Sequence, residues 1–429
     1  MQSVKFYCKI SIILFFTTMC ACSEDKTDKR PIEATGGFSG LSNTFNGWNS
    51  VILRNSFTEL DIVPELGGKI MGYNAFGNQI LWHNPSLRGE IETFRQNDIG
   101  EEFINSGGAK VWPAPQSKWG GPPDMVIDGS PYDYSLDNKI VTVTGPEDNE
   151  SGRTGIQYIH SYSLEPSSTI VDLHLSLKNC IESPIQWALW HLTTVPTNRN
   201  FTVYVPVNDG NWEVMHGGEN NIQWLGVEDG LFRARFDGRV GKVGMKVREG
   251  WAAVHDEDNE IVYTLLYPLE KNVEYPHNGH NFEIWSTGEI KNPDGTIAPE
   301  MSYMELEILG PLANLAPDES TSMDVKWAAC KSSGVKRVTP FAVISEEITF
   351  VDGVASGKFG VFQSGAFEQE MFDTNGERRG IEKILEVSPI SEVSFKREPY
   401  LPDDAVRIRY QVTDSEGTIL GILADIKIK

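Results

Sequence analysis

The chain has 429 residues, a formal net charge of −23, eleven tryptophans and forty glycines. That charge argues against nucleic acid as a partner, because phosphate binding needs a basic face. The length exceeds what one core usually serves and predicts two domains, and the tryptophan and glycine content suits an all-β protein rich in turns.

The N-terminal MQSVKFYCK carries Lys5 and Lys9, the apolar run ISIILFFTTM follows, and MCAC comes next. This order predicts a signal peptide over residues 1–21, too short to span a membrane as a stable helix. Cys22 after the small Ala21 resembles a bacterial lipoprotein processing site, whereas Cys20 follows the bulky Met19. The resemblance implies acylation (palmitate) of Cys22 and a lipid anchor rather than a span. Ser23 after the cysteine implies the outer membrane, and Ser23-Glu24-Asp25 resembles the acidic surface-export tags of Gram-negative lipoproteins. A plain secretory signal with an incidental cysteine is the competing reading. Residues 22–44 read as the lipidated cysteine and a tether. Cys180 and Cys330 are the cysteines beyond this region. They form one bridge or stay as two separate buried thiols, and spacing leaves both open.

From about residue 48 onward, period-two patterns predominate. The segment SGGAKVWPAPQSKWGGPPD, residues 106–124, holds Trp112 and Trp119 among prolines and glycines. Proline disrupts helices and breaks ladders, so this stretch is expected to be a surface loop. In TIVDLHLSLKN, Val171, Leu173, Leu175 and Leu177 share one face, and Asp172, His174, Ser176 and Lys178 the other. That is a half-buried antiparallel strand with His174 toward solvent. HNGH, at His277 and His280, looks superficially like a metal pair, but the Asn-Gly between them marks a turn and no third ligand follows by spacing. No metal and no cofactor is expected. SMDVKW alternates with Met323, Val325 and Trp327 inward. A boundary falls near residues 330–340. Beyond it, short alternating runs such as AVRIRYQV suit a small immunoglobulin-like β-sandwich over 340–429. Within it, EQEMFDTNGERRGIEKIL reads as a helical turn or a long polar loop. There is no βαβ alternation, P-loop, dinucleotide fingerprint or nucleophile elbow.

PELGGKIMGYNAFGNQILWHNP, residues 64–85, is similar to the opening hairpin of galactose-mutarotase-like (aldose 1-epimerase-like) proteins. YMELEILGPLANLAPDESTSMDVKW, residues 303–327, resembles the closing strands of the same superfamily, and GGAKVWPAPQSKW resembles a segment of one branch of it. The resemblance implies a large antiparallel β-supersandwich over residues 45–332 with a carbohydrate-binding concave face. Mutarotation needs a base for the anomeric hydroxyl proton and an acid for the ring oxygen. The resemblance implies Glu307 or Glu305 as base and His191 as acid. In place of a second histidine before the Gly-Gly pair stands Ser106, whose hydroxyl cannot supply imidazole acidity.

Trp112, Trp119, Lys110 and Gln116 are expected to form a sugar platform, with Trp82 and His83 at the same rim. The alternatives are a loop that folds back as a plug, a glycan binder without turnover, and a structural surface lipoprotein. A glycan lyase would need a base beside a neutralised uronate, and the sequence contains no such cluster.

Overall fold

A computed structural model describes residues 42–91, 94–97, 100–121, 123–197, 200–218 and 221–428. The expected signal peptide, Cys22 and the tether up to residue 41 lie outside the described residues. Residues 42–45, at the end of the expected tether, already form a strand paired with Trp48–Arg54.

The first unit is two antiparallel layers packed face to face. Seven strands carry the face of interest: β1 (Lys69–Ala75), β2 (Ala109–Ala114), β3 (Ile185–Pro196), β4 (Phe201–His216), β5 (Val240–Val247), β6 (Phe282–Thr287) and β7 (Tyr303–Leu309). Their order across the first layer is β1-β2-β3-β7-β6-β5-β4, with Thr58–Val63 and Trp48–Arg54 beyond β1. The second layer runs through Asp133–Asp137, Ile140–Thr144, Ile156–Leu164, Val171–Asn179, Ser320–Lys331, Ile261–Leu266 and Trp251–Asp256. It continues into the first residues of β4 and then Leu231–Ala234 and Trp224–Glu228. β4 therefore belongs to both layers and turns the sandwich at one side.

Alternation explains the core. Val171, Leu173, Leu175 and Leu177 are buried, as are Met323, Val325 and Trp327 of the neighbouring strand. They meet Ile62, Ile70, Val111 and Leu189 of the opposite layer. His174 faces outward and pairs with Asp324 at 2.7 Å, in agreement with the alternation.

One expectation is overturned here. Ala109–Ala114 is a strand, not a loop, although it contains Pro113. β2 pairs along its length with β3, but meets β1 only at Ala109 opposite Ile70. The missing N–H of Pro113 thus points where no ladder runs, which is the position in a sheet that tolerates proline.

The C-terminal strands form two four-stranded sheets around their own core of Ile344, Phe359, Phe367, Ile408, Tyr410 and Val412. Here EQEMFDTNGERRGIEKIL is a hairpin, not a helical turn or a long loop. Gly365–Phe372 pairs with Arg378–Val387, and the Asp373 carboxylate accepts the N–H groups of Asn375 and Glu377 to close the turn.

The two units are joined by a shared apolar cluster that includes Ile170, Trp251, Val262, Cys330, Val343 and Phe362. Thr169 N–H donates to Phe362 O at 2.8 Å. Gly360 lies so close to the Lys331 carbonyl that a Cβ would sit 2.2 Å from its oxygen. Cys330 is buried in this cluster, and both it and Cys180 are free thiols, so the bridge left open by the sequence is not formed.

Between the layers, His160 and His191 line a void of about 10 Å³ together with Tyr162, Leu173 and Leu175. Burial pushes His191 down to about 4 and, helped by the neighbouring His191, pushes His160 down to about 3. The folded protein therefore holds both neutral, whereas the unfolded chain protonates them near pH 6.5. Stability is predicted to fall as pH drops below about 6.5, at up to ~1.4 kcal/mol per pH unit for each histidine. Urea unfolding at steps between pH 7.5 and 5 measures this, and His191→Phe should remove one proton's share of the slope. An unchanged slope in that variant would refute the buried neutral state.

Candidate functional site

The alternation of Tyr303-Met304-Glu305-Leu306-Glu307-Ile308-Leu309 decides where the charges lie. Met304, Leu306 and Ile308 enter the core between the layers. Glu305 and Glu307 therefore take the opposite side of the sheet, the one that corresponds to the concave face expected from the resemblance. Register adds their neighbours. Glu307 stands opposite Glu283 of β6 and Leu192 of β3, and Glu305 stands opposite Trp285 and Thr194. Lys242 of β5 is opposite Trp285, while Lys110 and Trp112 of β2 are opposite Leu192 and Trp190. One face thus collects three carboxylates, two lysines and several indoles.

Burial makes the pairing obligatory. Glu283, Glu305 and Glu307 are 0%, 6% and 1% exposed, and a buried carboxylate without a partner is very costly. Two linked networks satisfy them. In the first, Lys110 Nζ lies 2.8 Å from Glu305 Oε1 and donates to Asn105 Oδ1, while Asn105 Nδ2 donates to the same Glu305 oxygen at 3.0 Å. The same ammonium sits 4.6 Å from the Trp112 ring centre. Trp112 Nε1 donates to Asp128 Oδ1 at 2.6 Å, and Asp128 Oδ2 pairs with the buried Lys69 at 2.9 Å. Lys69 also reaches Ser106 Oγ at 3.2 Å.

In the second network Lys242 Nζ is 2.7 Å from Glu283 Oε2 and 2.9 Å from Glu307 Oε2. It lies 4.6 Å from the Trp190 ring centre, and Trp190 Nε1 donates to Glu307 Oε2 at 2.9 Å. His277 Nδ1 is 2.8 Å from Glu283 Oε1, and His280 Nε2 is 3.0 Å from Glu213 Oε1. Gly244 makes room for that imidazole, because a Cβ there would lie 2.1 Å from His280 Nδ1.

These contacts set the proton affinities. Burial raises Glu307 to about 8, with the Glu283 and Glu305 carboxylates adding to the rise and Lys242 opposing it. Glu283 moves the other way. Despite its burial, the hydrogen bond from His277, the nearby His280 ring at 3.6 Å and the charge of Lys242 hold it well below the usual carboxylate range. Lys242 is raised by Glu307 and Glu283 although burial opposes this, so it stays an ammonium. Two adjacent carboxyl groups with proton affinities pushed apart are the arrangement acid–base chemistry uses.

The expected residues do not all meet. His191 pairs with Ile308, so it projects into the core while Glu307 projects to the concave face. Its ring stacks on Trp327 at 5.8 Å, Thr193 Oγ1 is 3.4 Å from its Nε2, and His160 lines the same small void. The expected His191–glutamate pair is therefore corrected: strand parity separates the two.

The expected indole platform is also corrected. Trp112 is 8% exposed, its N–H is taken by Asp128, and its ring meets Trp119 and Trp190 edge-on at 5.7 Å. Trp119, partly exposed, donates Nε1 to Pro113 O at 2.8 Å. This is the packed plug rather than an open shelf. Lys110 is buried beneath it. Gln116 is exposed, but its side chain bonds Gly120 O within its own turn. Trp82 is buried, donates to Glu300 O and stacks 4.3 Å from Tyr303. His83 is half-buried beside Asn46.

Residues the sequence reading missed carry the site: Lys242, Glu283, Trp190, His277 and the half-buried Trp285, which leans against His216 at 5.8 Å. The alternation of NFEIWST already set Glu283 and Trp285 on one face, but only the register with β7 brings them to Glu305 and Glu307. Among the described residues no group of three or more His, Cys, Asp and Glu side chains is arranged to hold a metal ion.

No curated protein matches the sequence. Among solved structures, the Slr1438 protein from Synechocystis sp. PCC 6803 is similar at 14% identity and a TM-score of 0.47, covering 68% of this chain and 100% of its own. A galactose mutarotase-like protein from Clostridium acetobutylicum is similar at 13% identity and a TM-score of 0.46, covering 69% and 100%. Another, from Lactobacillus casei ATCC 334, is similar at 13% identity and a TM-score of 0.44, covering 65% and 99%. A family model described as a domain of unknown function (DUF4380) matches residues 49–330, more than half of the sequence, and the chain belongs to that family.

Proposed function

We propose that this is a lipid-anchored, extracytoplasmic protein that binds a neutral carbohydrate on the concave face and interconverts its anomers with Glu305 and Glu307. The observation that carries the reading is the pair of carboxyl groups on one strand face, flanked by the half-buried rings of Trp285 and Tyr303. Indole and phenol rings pack on the C–H face of a sugar, and the neighbouring carboxylate and ammonium groups take its hydroxyls. Glu305, ion-paired to Lys110, accepts the proton of the anomeric hydroxyl. Glu307, protonated at neutrality, gives its proton to the ring oxygen. The C1–ring-oxygen bond breaks, the aldehyde rotates, and ring closure from the other face returns both protons. A neutral sugar is favoured because Lys69, Lys110 and Lys242 are already matched to Asp128, Glu305 and the Glu283–Glu307 pair.

A second reading, a glycan binder without turnover, is favoured by one observation. The Glu307 side chain is 2% exposed beneath Lys242, so a sugar contacts Glu305, Lys242, Trp285 and Tyr303 before it contacts Glu307. Polarimetry separates the two. Turnover of a freshly dissolved aldose should fall about 100-fold or more in Glu307→Gln. In the wild type, turnover should decline as pH rises through about 8, where Glu307 loses its proton. Wild-type rotation no faster than buffer would leave the binder.

Binding itself is tested by saturation-transfer NMR against a panel of neutral and uronic sugars. Trp285→Ala should weaken a neutral sugar about tenfold, the loss of one stacked ring. No saturation transfer from any sugar would refute the carbohydrate reading.

The anchor rests on the apolar run and the Ala21-Cys22 pair, which resemble a lipoprotein processing site. Cys22→Ala should move the protein from the membrane fraction to the soluble one. Retention in the membrane fraction would exclude Cys22 as the anchor.

A further inference from the structure

We propose that His277 is a positioning residue that sets the proton affinity of Glu307 through Glu283 and Lys242, and that it acts by clasping segments 115–120 and 275–281 over Trp190. The tautomer comes first. Gln116 N–H donates to His277 Nε2 at 3.1 Å, so Nε2 is the acceptor and the imidazole proton sits on Nδ1. That Nδ1–H donates to Glu283 Oε1 at 2.8 Å. The other oxygen of Glu283 faces Lys242 at 2.7 Å, and Lys242 divides itself between Glu283 and Glu307. A backbone amide in one segment is thus wired to a carboxyl group on β7 through three side chains.

The backbone supports a built device. His277 and the next residue, Asn278, have φ of 47° and 64°, a left-handed pair without glycine. Such conformations cost free energy and persist where surrounding contacts impose them. The contacts here are the His277 ring edge-on to Trp190 at 5.2 Å, Asn278 Nδ2 donating to Glu213 Oε1 at 3.2 Å, and His280 on the same Glu213 oxygen.

The groups facing Glu307 are Lys242 from β5, Glu283 from β6, Glu305 on its own strand, and Trp190 from β3. Lys110 sits behind Glu305, and His277, His280 and Glu213 lie behind Glu283. Lys242 is the cation that both Glu283 and Glu307 share. When Glu283 loses the His277 hydrogen bond, it draws Lys242 more strongly. Glu307 then keeps less of that ammonium and holds its proton to higher pH.

The wiring deepens the carbohydrate reading, because it regulates the same carboxyl group, but its test needs no sugar. Protein carrying 13C in glutamate side-chain carboxyl groups is titrated by NMR, with the Glu307 signal assigned by Glu307→Gln. His277→Asn removes the imidazole and keeps a residue that tolerates a left-handed backbone. Gln116→Pro removes the donor N–H, together with the side-chain bond to Gly120 O, and leaves the imidazole in place. Gln116 lies at the first position of the short helical turn Gln116–Lys118, and Pro115 before it has φ −83° and ψ 146°, a conformation that accepts a following proline. Both variants should raise the Glu307 midpoint, His277→Asn by about one pH unit, a tenfold gain in proton affinity. A midpoint that stays put or falls in His277→Asn overturns the proposal. A shift in His277→Asn without one in Gln116→Pro overturns the clasp. A normal shift with no sugar binding leaves the wiring intact and refutes the carbohydrate reading alone.

Discussion

Three carboxyl groups on two neighbouring strands, nearly free of water, are the constraint around which the concave face is built. Left alone, Glu283, Glu305 and Glu307 would repel one another in a medium that screens poorly. Lys110 and Lys242 compensate two charges, and protonation of Glu307 compensates the third. Each lysine lies over an indole, Trp112 or Trp190, and each of those indoles donates its N–H to an acidic side chain. Aromatic packing and charge compensation are therefore one arrangement. Removing one lysine would strand a buried carboxylate, and removing one indole would take away both a ring beneath a cation and a donor to an acidic side chain.

The fold was largely legible in the sequence because its signal is local. Period two in residues 171–177 and 323–327 marks the same face that the structure buries, and the outward His174 follows from the same rule. The concave carboxylates were also legible, since Glu305 and Glu307 alternate with Met304, Leu306 and Ile308. What failed was non-local. Alternation groups residues within a strand but does not say which side faces the core. On β3 both sides are apolar, with Trp187 and Leu189 on one and Trp190 and Leu192 on the other, so His191 was set toward the wrong side of the sheet. Pro113 misled for a related reason. Its cost depends on whether a neighbouring strand needs its N–H, and that is a property of the assembled sheet. Lys242, Glu283 and His277 were invisible as a group because residues 242, 283 and 307 become neighbours only through the β5-β6-β7 register.

The two histidines of the interior and the two of the concave face have different neighbours. His160 and His191 lie around a small void between the layers, where burial disfavours the imidazolium. His277 and His280 lie against Glu283 and Glu213. Histidine count alone would not have separated them; the neighbours on each face do.

The strand Ser320–Lys331 has a further consequence. At Trp327 it backs onto His191, on the strand whose other side carries Trp190, and at Cys330 it enters the cluster shared with the C-terminal sheets. A single extended segment therefore ties the rear wall of the acidic face to the second unit. Mechanical load on that unit, of the kind an appended module feels when its partner is held elsewhere, would run along this strand rather than dissipate in a linker.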